Sequence, residues 1–558
     1  MPNILTPITL CNSFDVSLPV NPVVLSVETR DGVKIERLNF QGRDTGDGRV
    51  QIAAAYAYDP NSTVTGTVLI LPDSRDTLDD EVLSLFVKRG YSALMIDYRG
   101  EWEGCTHYTV YPPNVEYANL TKCGRRKDYV DDSADKTSWY EWISVGLYAR
   151  KYIALRTGSD NIAAVGIRDG GEIAWKLAVA GNFSCIVPVC AAGWKAYSGL
   201  SKYLSDEPKL DEERYRFIAG IDSQAYAPYV KCPVLLLCST NDARFDYDRA
   251  YDTFSRINAD FEKDSVISYS VRSNACVGTK SVADLFLFLD KNLKNRQVFM
   301  PKPAAVTVEV DEEDNLVART VFDNQGVVES CGVYLAEDNV NSVEREWVAC
   351  PKKREISINS REYYLNIYEK TTTVFVFCYV TYSNGFTVWS KMAVKKLNGK
   401  FRNMQSRSHV MYSSENGVDG FAAASPETTA TGGIFFADDA KLPRLVKKAK
   451  GICGLYAEGG LRTYRMNTPR YSPSAGNILS ADLFCDSDSE VTITLTDIPT
   501  GEEYSAVVSV IGGVWQSFIF ENNSFKNAGG VSLPDFTGET VFTVNCPEQF
   551  AINNVIWL

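Results

Sequence analysis

The chain has 558 residues, an ordinary apolar content of 45% and a net charge of −13. It is too long for a single hydrophobic core, so we expect about two to four domains. The negative charge argues against nucleic acids and anionic membranes as partners. No apolar run approaches the roughly 18 residues of a membrane-spanning helix.

The N-terminus has neither the basic nor the apolar segment of a signal peptide. The 14 cysteines are scattered, and Cys190, Cys238 and Cys378 lie in apolar stretches where a thiol acts as a small hydrophobic side chain. We therefore predict a cytoplasmic protein with reduced thiols. The chain contains two histidines, His107 and His409, which leaves little capacity for histidine-based catalysis or metal binding. We expect no metal and no cofactor.

In chain order, residues 24–58 alternate between apolar and polar side chains, which predicts antiparallel strands. Short apolar runs and segments with helical spacing then alternate. The predicted strands are 66–72, 91–100, 163–167, 185–190, 232–238 and 266–271, and the predicted helices are 79–89, 138–155 and 281–292. Residues 195–229 have the pattern of a helical lid. This alternation predicts a mostly parallel, doubly wound α/β sheet.

The segment Gly166-Ile167-Arg168-Asp169-Gly170 follows one of these strands and opens a helix. A G-x-S-x-G sequence at such a turn is the pattern of a nucleophile elbow. Arg168 occupies the serine position, and a guanidinium group cannot attack an acyl carbon because it stays protonated and offers no lone pair.

Three segments together resemble the α/β-hydrolase family, most closely the members similar to acetyl xylan esterase, dienelactone hydrolase and X-Pro dipeptidyl peptidase. They are the strand end Asp97-Tyr98-Arg99-Gly100, the elbow, and strand 232–237 followed by Asn241-Asp242. The resemblance covers roughly residues 24–296. It implies a Ser-His-Asp triad, of which the acid position falls on Asp242, the serine position on Arg168 and the histidine position on Ala275.

Because triad members act as a unit, the loss of the nucleophile and the base predicts a hydrolase fold without hydrolytic activity. The favoured interpretation is a binding or scaffolding protein connected with carbohydrates. The alternative is an active ester or peptide hydrolase with a rearranged site. Such a site would use Asp169 as a displaced nucleophile, Cys276 as a thiol, or His107 as a base from the loop after strand 91–100.

Arg168 and Asp242 both project toward the C-terminal edge of the predicted sheet, where ligands of such sheets bind. We predict an ion pair between Arg168 and an acid, with Asp242, Asp169 and Asp73 as candidates. Alternatively, Arg168 faces a ligand and binds a small carboxylate or a sugar acid. Either way, these residues and His107 are the candidate binding residues.

We assign residues 1–297 to the hydrolase-like domain. Residues 298–398 have the short, regularly spaced strands of an Ig- or fibronectin-III-like sandwich, which we interpret as a spacer. Residues 399–558 resemble a jelly-roll carbohydrate-binding module, with Trp515 as the candidate sugar contact. Because alternating strands place about half of their aromatic residues in the core, packing is the simpler role for Trp515. The sequence leaves the oligomeric state open.

Overall fold

The computed structural model describes residues 5–63, 65–203, 209–274, 277–424, 434–435 and 442–558. Ala275, at the expected histidine position, and Cys276, the candidate thiol, lie outside these ranges.

The N-terminal part of the described chain forms one large sheet. Its strands are Val23–Arg30 (β1), Val33–Asp44 (β2), Arg49–Tyr58 (β3), Thr67–Leu71 (β4), Ser92–Ile96 (β5), Ile162–Ile167 (β6), Cys185–Val189 (β7), Leu235–Ser239 (β8) and Val266–Ser270 (β9). Their order across the sheet is β1-β2-β3-β5-β4-β6-β7-β8-β9. The pairs β1/β2, β2/β3 and β3/β5 are antiparallel, and all pairs from β5 to β9 are parallel. Strands β4 to β9 are buried along their whole length, as expected for a sheet covered on both faces.

Helices connect these strands. Among the described residues they are Pro7–Cys11 (α1), Asp80–Lys88 (α2), Ser138–Thr157 (α3), Asp169–Ala180 (α4), Glu212–Gly220 (α5), Ser223–Tyr226 (α6), Tyr247–Phe254 (α7), Ala259–Glu262 (α8) and Thr279–Lys294 (α9). None of them is long and apolar enough to cross a membrane. The predicted lid, 195–229, contains only the short helices α5 and α6 and two 3-10 turns in its described part.

Two β-sandwiches follow. The first sandwich is built from Ala305–Val310 (β10), Leu316–Val321 (β11), Val328–Glu337 (β12), Val348–Ala349 (β13), Lys352–Ser357 (β14), Ser360–Tyr364 (β15), Thr373–Tyr382 (β16), Thr387–Trp389 (β17) and Ala393–Lys396 (β18). One of its sheets has the order β10-β11-β15-β14, and the other has β13-β12-β16-β17 with β18 on β16.

The second sandwich is built from Val410–Tyr412 (β19), Ala422–Ala423 (β20), Arg444–Lys447 (β21), Cys453–Tyr456 (β22), Leu461–Thr463 (β23), Leu479–Cys485 (β24), Ser489–Asp497 (β25), Glu503–Val510 (β26), Gln516–Phe520 (β27), Thr540–Asn545 (β28) and Phe550–Trp557 (β29). Its sheets have the orders β21-β22-β29-β24-β27, with β19 on β29, and β20-β23-β28-β25-β26. The predicted fold class is therefore confirmed: an α/β-hydrolase sheet precedes two all-β sandwiches.

One hydrophobic core extends from the N-terminal sheet into the first sandwich. At the junction, the ring of Tyr269 on β9 lies 5.5 Å from Phe377 and 5.3 Å from Trp389, centroid to centroid. A buried ion pair accompanies the rings, because Arg345 binds Asp248 through two bonds of 2.6 and 3.0 Å. The two units thus form a continuous packed body, while the second sandwich has a core of its own.

A buried carboxyl group also lies at this junction and predicts a dependence of stability on pH. Asp284 on α9 accepts hydrogen bonds from the Thr387 backbone N–H (2.8 Å) and the Ser268 hydroxyl (2.8 Å). Burial raises the pKa of Asp284 to about 7. The unfolded chain releases this proton near pH 4, so this group makes the folded state progressively less stable between about pH 4 and pH 7.

Asp284→Asn should remove that dependence. The amide oxygen can keep the bond from Thr387, and the amide nitrogen can donate to the Ser268 hydroxyl, so the variant should fold normally. We expect equal stability of variant and wild type at pH 4 and a gain of about 2–4 kcal/mol for the variant at pH 8, measured by urea unfolding at both pH values. If the unfolding free energies of Asp284→Asn and wild type differ by the same amount at both pH values, Asp284 is not the source of the pH dependence.

Candidate functional site

The turn between β6 and α4 has the geometry of a nucleophile elbow. A side chain at Gly166 would lie 2.2 Å from the carbonyl oxygen of Gly170, and a side chain at Gly170 would lie 2.1 Å from that of Leu71. Glycine is therefore required at both positions. Arg168, at the tip, has φ 50° and ψ −112°, a strained conformation for a residue with a side chain. Such strain is typical of functional turns.

The predicted contact between Arg168 and an acid is present, and the partner is Asp242. The guanidinium nitrogens Nη1 and Nη2 of Arg168 lie 3.1 Å from Oδ1 and 3.1 Å from Oδ2 of Asp242. The side chains are 4% and 0% exposed, so both charges are withdrawn from bulk water. Asp242 also accepts the backbone N–H of Arg244 at 2.8 Å. The residues at the expected serine and acid positions, Arg168 and Asp242, thus neutralise each other.

Asp169, the next residue, pairs with two lysines. Its carboxylate lies 2.7 Å from Nζ of Lys127 and 2.7 Å from Nζ of Lys195, and it accepts a 2.5 Å hydrogen bond from the Ser74 hydroxyl. Burial alone would raise the pKa of Asp169, but the two ammonium groups outweigh it and hold the pKa well below its usual range. A carboxylate held by two cations is a poor nucleophile, so the displaced-nucleophile alternative has little chemical basis here.

The third candidate acid, Asp73, also pairs with a residue other than Arg168. Its Oδ2 lies 2.8 Å from Nη2 of Arg244, and its Oδ1 accepts the backbone N–H of Ser74. The sequence therefore indicated the right group of acids but could not tell which cation each one binds.

A cavity of about 550 Å³ lies over the elbow. This volume is in the range of small-molecule sites. Its lining contains Arg168 and Asp242 at the base, Asp169 with Lys127 and Lys195 on one side, and the aromatic rings of Trp194, Tyr197 and Phe245. Cys190 also lines it, but burial, reinforced by the charge of Asp242, raises the pKa of this thiol to about 12, so it remains protonated.

Residues 340–343 of the first sandwich complete the wall of the cavity. They are held there by Asn241, whose side-chain amide donates to the carbonyl oxygens of Val343 (3.1 Å) and Arg345 (2.8 Å). Asn241 directly precedes Asp242, so the site and the sandwich are fixed to the same turn. This loop of the sandwich therefore contributes to the cavity wall, which the interpretation of the sandwich as a spacer did not include.

The other sequence candidates lie elsewhere. His107 is half-buried and contacts Asn39, with its Nε2 2.9 Å from Oδ1, and it is not among the residues that line the cavity. Trp515 is half-buried in the second sandwich, where its ring lies 5.5 Å from that of Phe484 and directly over Gly454. Neither residue is among those that line the cavity with Arg168.

Several residues of the site escaped the sequence analysis. Lys127 lies in the long loop after β5, and Lys195 lies just after β7, so neither belongs to a local motif. Both reach Asp169 across the fold. The sequence offered one signal for these two lysines: each follows a predicted parallel strand. The carboxyl ends of such strands form the edge of the sheet where ligands bind.

Comparisons with known proteins find similar chains among solved structures. No family model and no curated protein matches the chain. Among solved structures, the acetyl xylan esterase from Paenibacillus sp. R4 is similar at 15% identity and a TM-score of 0.40, over 51% of this chain and 92% of that one. Acetyl xylan esterase 1 from Thermoanaerobacterium sp. JW/SL YS485 is similar at 16% identity and a TM-score of 0.38, over 51% of this chain and 92% of that one. A cold-adapted esterase from an Arctic intertidal metagenomic library is similar at 16% identity and a TM-score of 0.32, over 48% of this chain and 97% of that one. At these identities the likeness concerns the fold alone.

Proposed function

We propose that this protein binds a small polar ligand, a carbohydrate or a small carboxylate, in the cavity over the elbow and does not hydrolyse it. The observation that carries the proposal is the Arg168–Asp242 pair at the base of a cavity that remains about 550 Å³ in volume. A hydrolase of this fold needs a nucleophile at the elbow and a free acid to orient its base. Here the residue at the first position, Arg168, is paired with the residue at the second, Asp242.

The lining of the cavity supports a polar ligand. Charged side chains are distributed over its base and sides, and the rings of Trp194 and Tyr197 lie 5.5 Å apart on the same wall. Trp194 is fixed by a 2.9 Å hydrogen bond from its indole N–H to the hydroxyl of Thr253. Fixed aromatic rings beside hydrogen-bonding groups suit a ligand with both an apolar face and polar substituents.

A cavity-filling variant tests the proposal. Ala243 lines the cavity and is exposed to it, so Ala243→Trp should occupy the space without changing a charge. Ala528, an exposed residue of the second sandwich, gives the matched control Ala528→Trp. The measurement is the shift of thermal unfolding with a panel of mono- and disaccharides, sugar acids and small carboxylates.

A ligand at about 100 times its Kd should stabilise the wild type and Ala528→Trp by roughly 2.7 kcal/mol, and Ala243→Trp by much less. A shift that survives in Ala243→Trp would place the binding outside the cavity and contradict the proposal.

A further inference from the structure

We propose that Cys485 and Cys546, called here the cysteine pair, are a site where small disulfide compounds form a reversible cross-link between the two sheets of the second sandwich. Their sulfur atoms lie 4.0 Å apart, although 61 positions separate the two residues in the chain. Every cysteine in the described part of the chain carries a free thiol. The inference concerns the second sandwich and is independent of the proposed function, which concerns the cavity over the elbow.

The two cysteines belong to opposite layers of the sandwich. Cys485 is the last residue of β24, which lies between β29 and β27 in one sheet. Cys546 directly follows β28, which lies between β23 and β25 in the other sheet. A bond between the two sulfurs would therefore join the layers covalently and close a loop that contains β25, β26, β27 and β28.

One member of the pair is held rigidly and the other has room to move. Cys485 is fully buried, its backbone pairs with Phe550 on β29, and its carbonyl oxygen accepts the N–H of Gly513 at 2.8 Å. Cys546 is half-buried in the turn between β28 and β29 and precedes the exposed Pro547. A disulfide bond is about 2 Å long, so the sulfurs must approach by about 2 Å. We expect rotation of the Cys546 side chain and a small shift of its turn to supply this approach.

The surroundings of the two thiols determine which one reacts first. Burial, reinforced by the neighbouring Cys546, raises the pKa of Cys485 above its usual value. Cys485 therefore stays protonated, and its burial keeps reagents away from it. Cys546 is accessible from solvent, and a thiolate is the species that attacks a disulfide. Cys546 should thus attack the reagent, and Cys485 should then complete the cross-link.

The reaction balances with a small disulfide as the oxidant. Asp486 and Glu548, two exposed acids, adjoin the cysteine pair in the chain, so the neutral hydroxyethyl disulfide is the suitable probe. Cys546 loses its proton and attacks one sulfur of the probe, which breaks the probe's S–S bond and releases one mercaptoethanol. Cys485 then loses its proton and attacks Sγ of Cys546, which releases a second mercaptoethanol. The two cysteines are oxidised to one disulfide, and the probe is reduced to two thiols.

The test treats the intact chain with hydroxyethyl disulfide without denaturant, blocks the remaining thiols with iodoacetamide and locates the modified cysteines by peptide mass spectrometry. In the wild type we expect a Cys485–Cys546 cross-link that dithiothreitol removes. In Cys485→Ser the mercaptoethanol adduct on Cys546 should persist, because the second thiol is missing. In Cys546→Ser the thiol of Cys485 should stay reduced, because the attacking thiol is missing.

Cys453→Ser is the matched control. Cys453 is another half-buried thiol of the same sandwich, at the start of β22, and its loss should leave the cross-link intact. The cross-link should also stabilise the second sandwich, because it restricts the unfolded chain over a long loop. We expect oxidation to raise the midpoint of thermal unfolding by about 5–10 °C in the wild type and in Cys453→Ser, but not in Cys485→Ser.

A stable mercaptoethanol adduct on Cys546 in the wild type would overturn the inference, because it would show that the two sulfurs cannot meet in the folded protein. An unreactive Cys546, or a cross-link of either residue to a different cysteine, would overturn it as well. So would an unchanged or lower unfolding midpoint in the cross-linked wild type, since the bond would then strain the fold. The map of the wild type decides the question even if Cys485→Ser does not fold.

Discussion

Arg168→Met should destabilise the folded protein by about 3–5 kcal/mol, because it leaves the carboxylate of Asp242 buried without its partner. Two nitrogen–oxygen contacts of 3.1 Å join the pair, one of them a hydrogen bond, and both side chains are shielded from water. Methionine keeps most of the side-chain volume, so the loss reports on the charge and not on a cavity.

The double variant Arg168→Met/Asp242→Asn separates the pair from its surroundings. The asparagine oxygen can still accept the backbone N–H of Arg244, which Asp242 accepts at 2.8 Å in the wild type. Replacing a whole buried ion pair by neutral groups is often close to neutral for stability, so the double variant should recover most of the loss. Urea unfolding of the four proteins measures the coupling, and additive losses from the two single changes would contradict a direct interaction.

Arg345→Met should have a comparable effect, about 3–5 kcal/mol, at the junction with the first sandwich. Arg345 is fully buried, binds Asp248 at 2.6 and 3.0 Å, and lies 3.9 Å from the ring centroid of Phe375. Its loss leaves a buried carboxylate on α7, next to the turn that carries Asp242. We also expect faster hydrogen exchange in residues 340–345, which the same contacts hold in place.

Arg296→Met provides the control for this second prediction. Arg296 pairs with Asp290 at a similar distance, 2.8 Å, but its side chain is 63% exposed. An exposed pair contributes little, so its loss should change the unfolding free energy by less than about 1 kcal/mol. Similar losses from Arg345→Met and Arg296→Met would mean that burial does not determine the strength of the Arg345–Asp248 pair.

The sequence predicted the features that local patterns encode. Continuous apolar runs identified the buried strands β4 to β9, and glycine spacing identified the elbow. The need for Gly166 is local, because a side chain there would meet Gly170 in the same turn, whereas a side chain at Gly170 would meet the backbone of Leu71 on β4. The contact of Arg168 with an acid followed from the resemblance, which places both positions at one edge of the sheet. Asp242 is 74 residues away from Arg168, and no local pattern connects the two.

What the sequence could not predict depends on contacts between distant segments. Lys127 and Lys195 approach Asp169 from two different loops, and residues 340–343 come from another sandwich. The role of Trp515 was ambiguous for a related reason: an alternating strand does not reveal what lies under a given ring. In the structure the ring of Trp515 lies over Gly454, which is 61 positions earlier in the chain. The ring fits there because glycine has no side chain.

The central proposal is that the elbow with Arg168 at its tip does not support hydrolysis. The most direct measurement is the rate of p-nitrophenyl acetate turnover by the wild type and by Asp242→Asn, with bovine serum albumin at equal concentration as the reference for nonspecific acylation. We predict that both proteins match the reference and show no multiple turnover. Multiple turnover by the wild type that is lost in Asp242→Asn would contradict the claim and establish an active, rearranged hydrolase site.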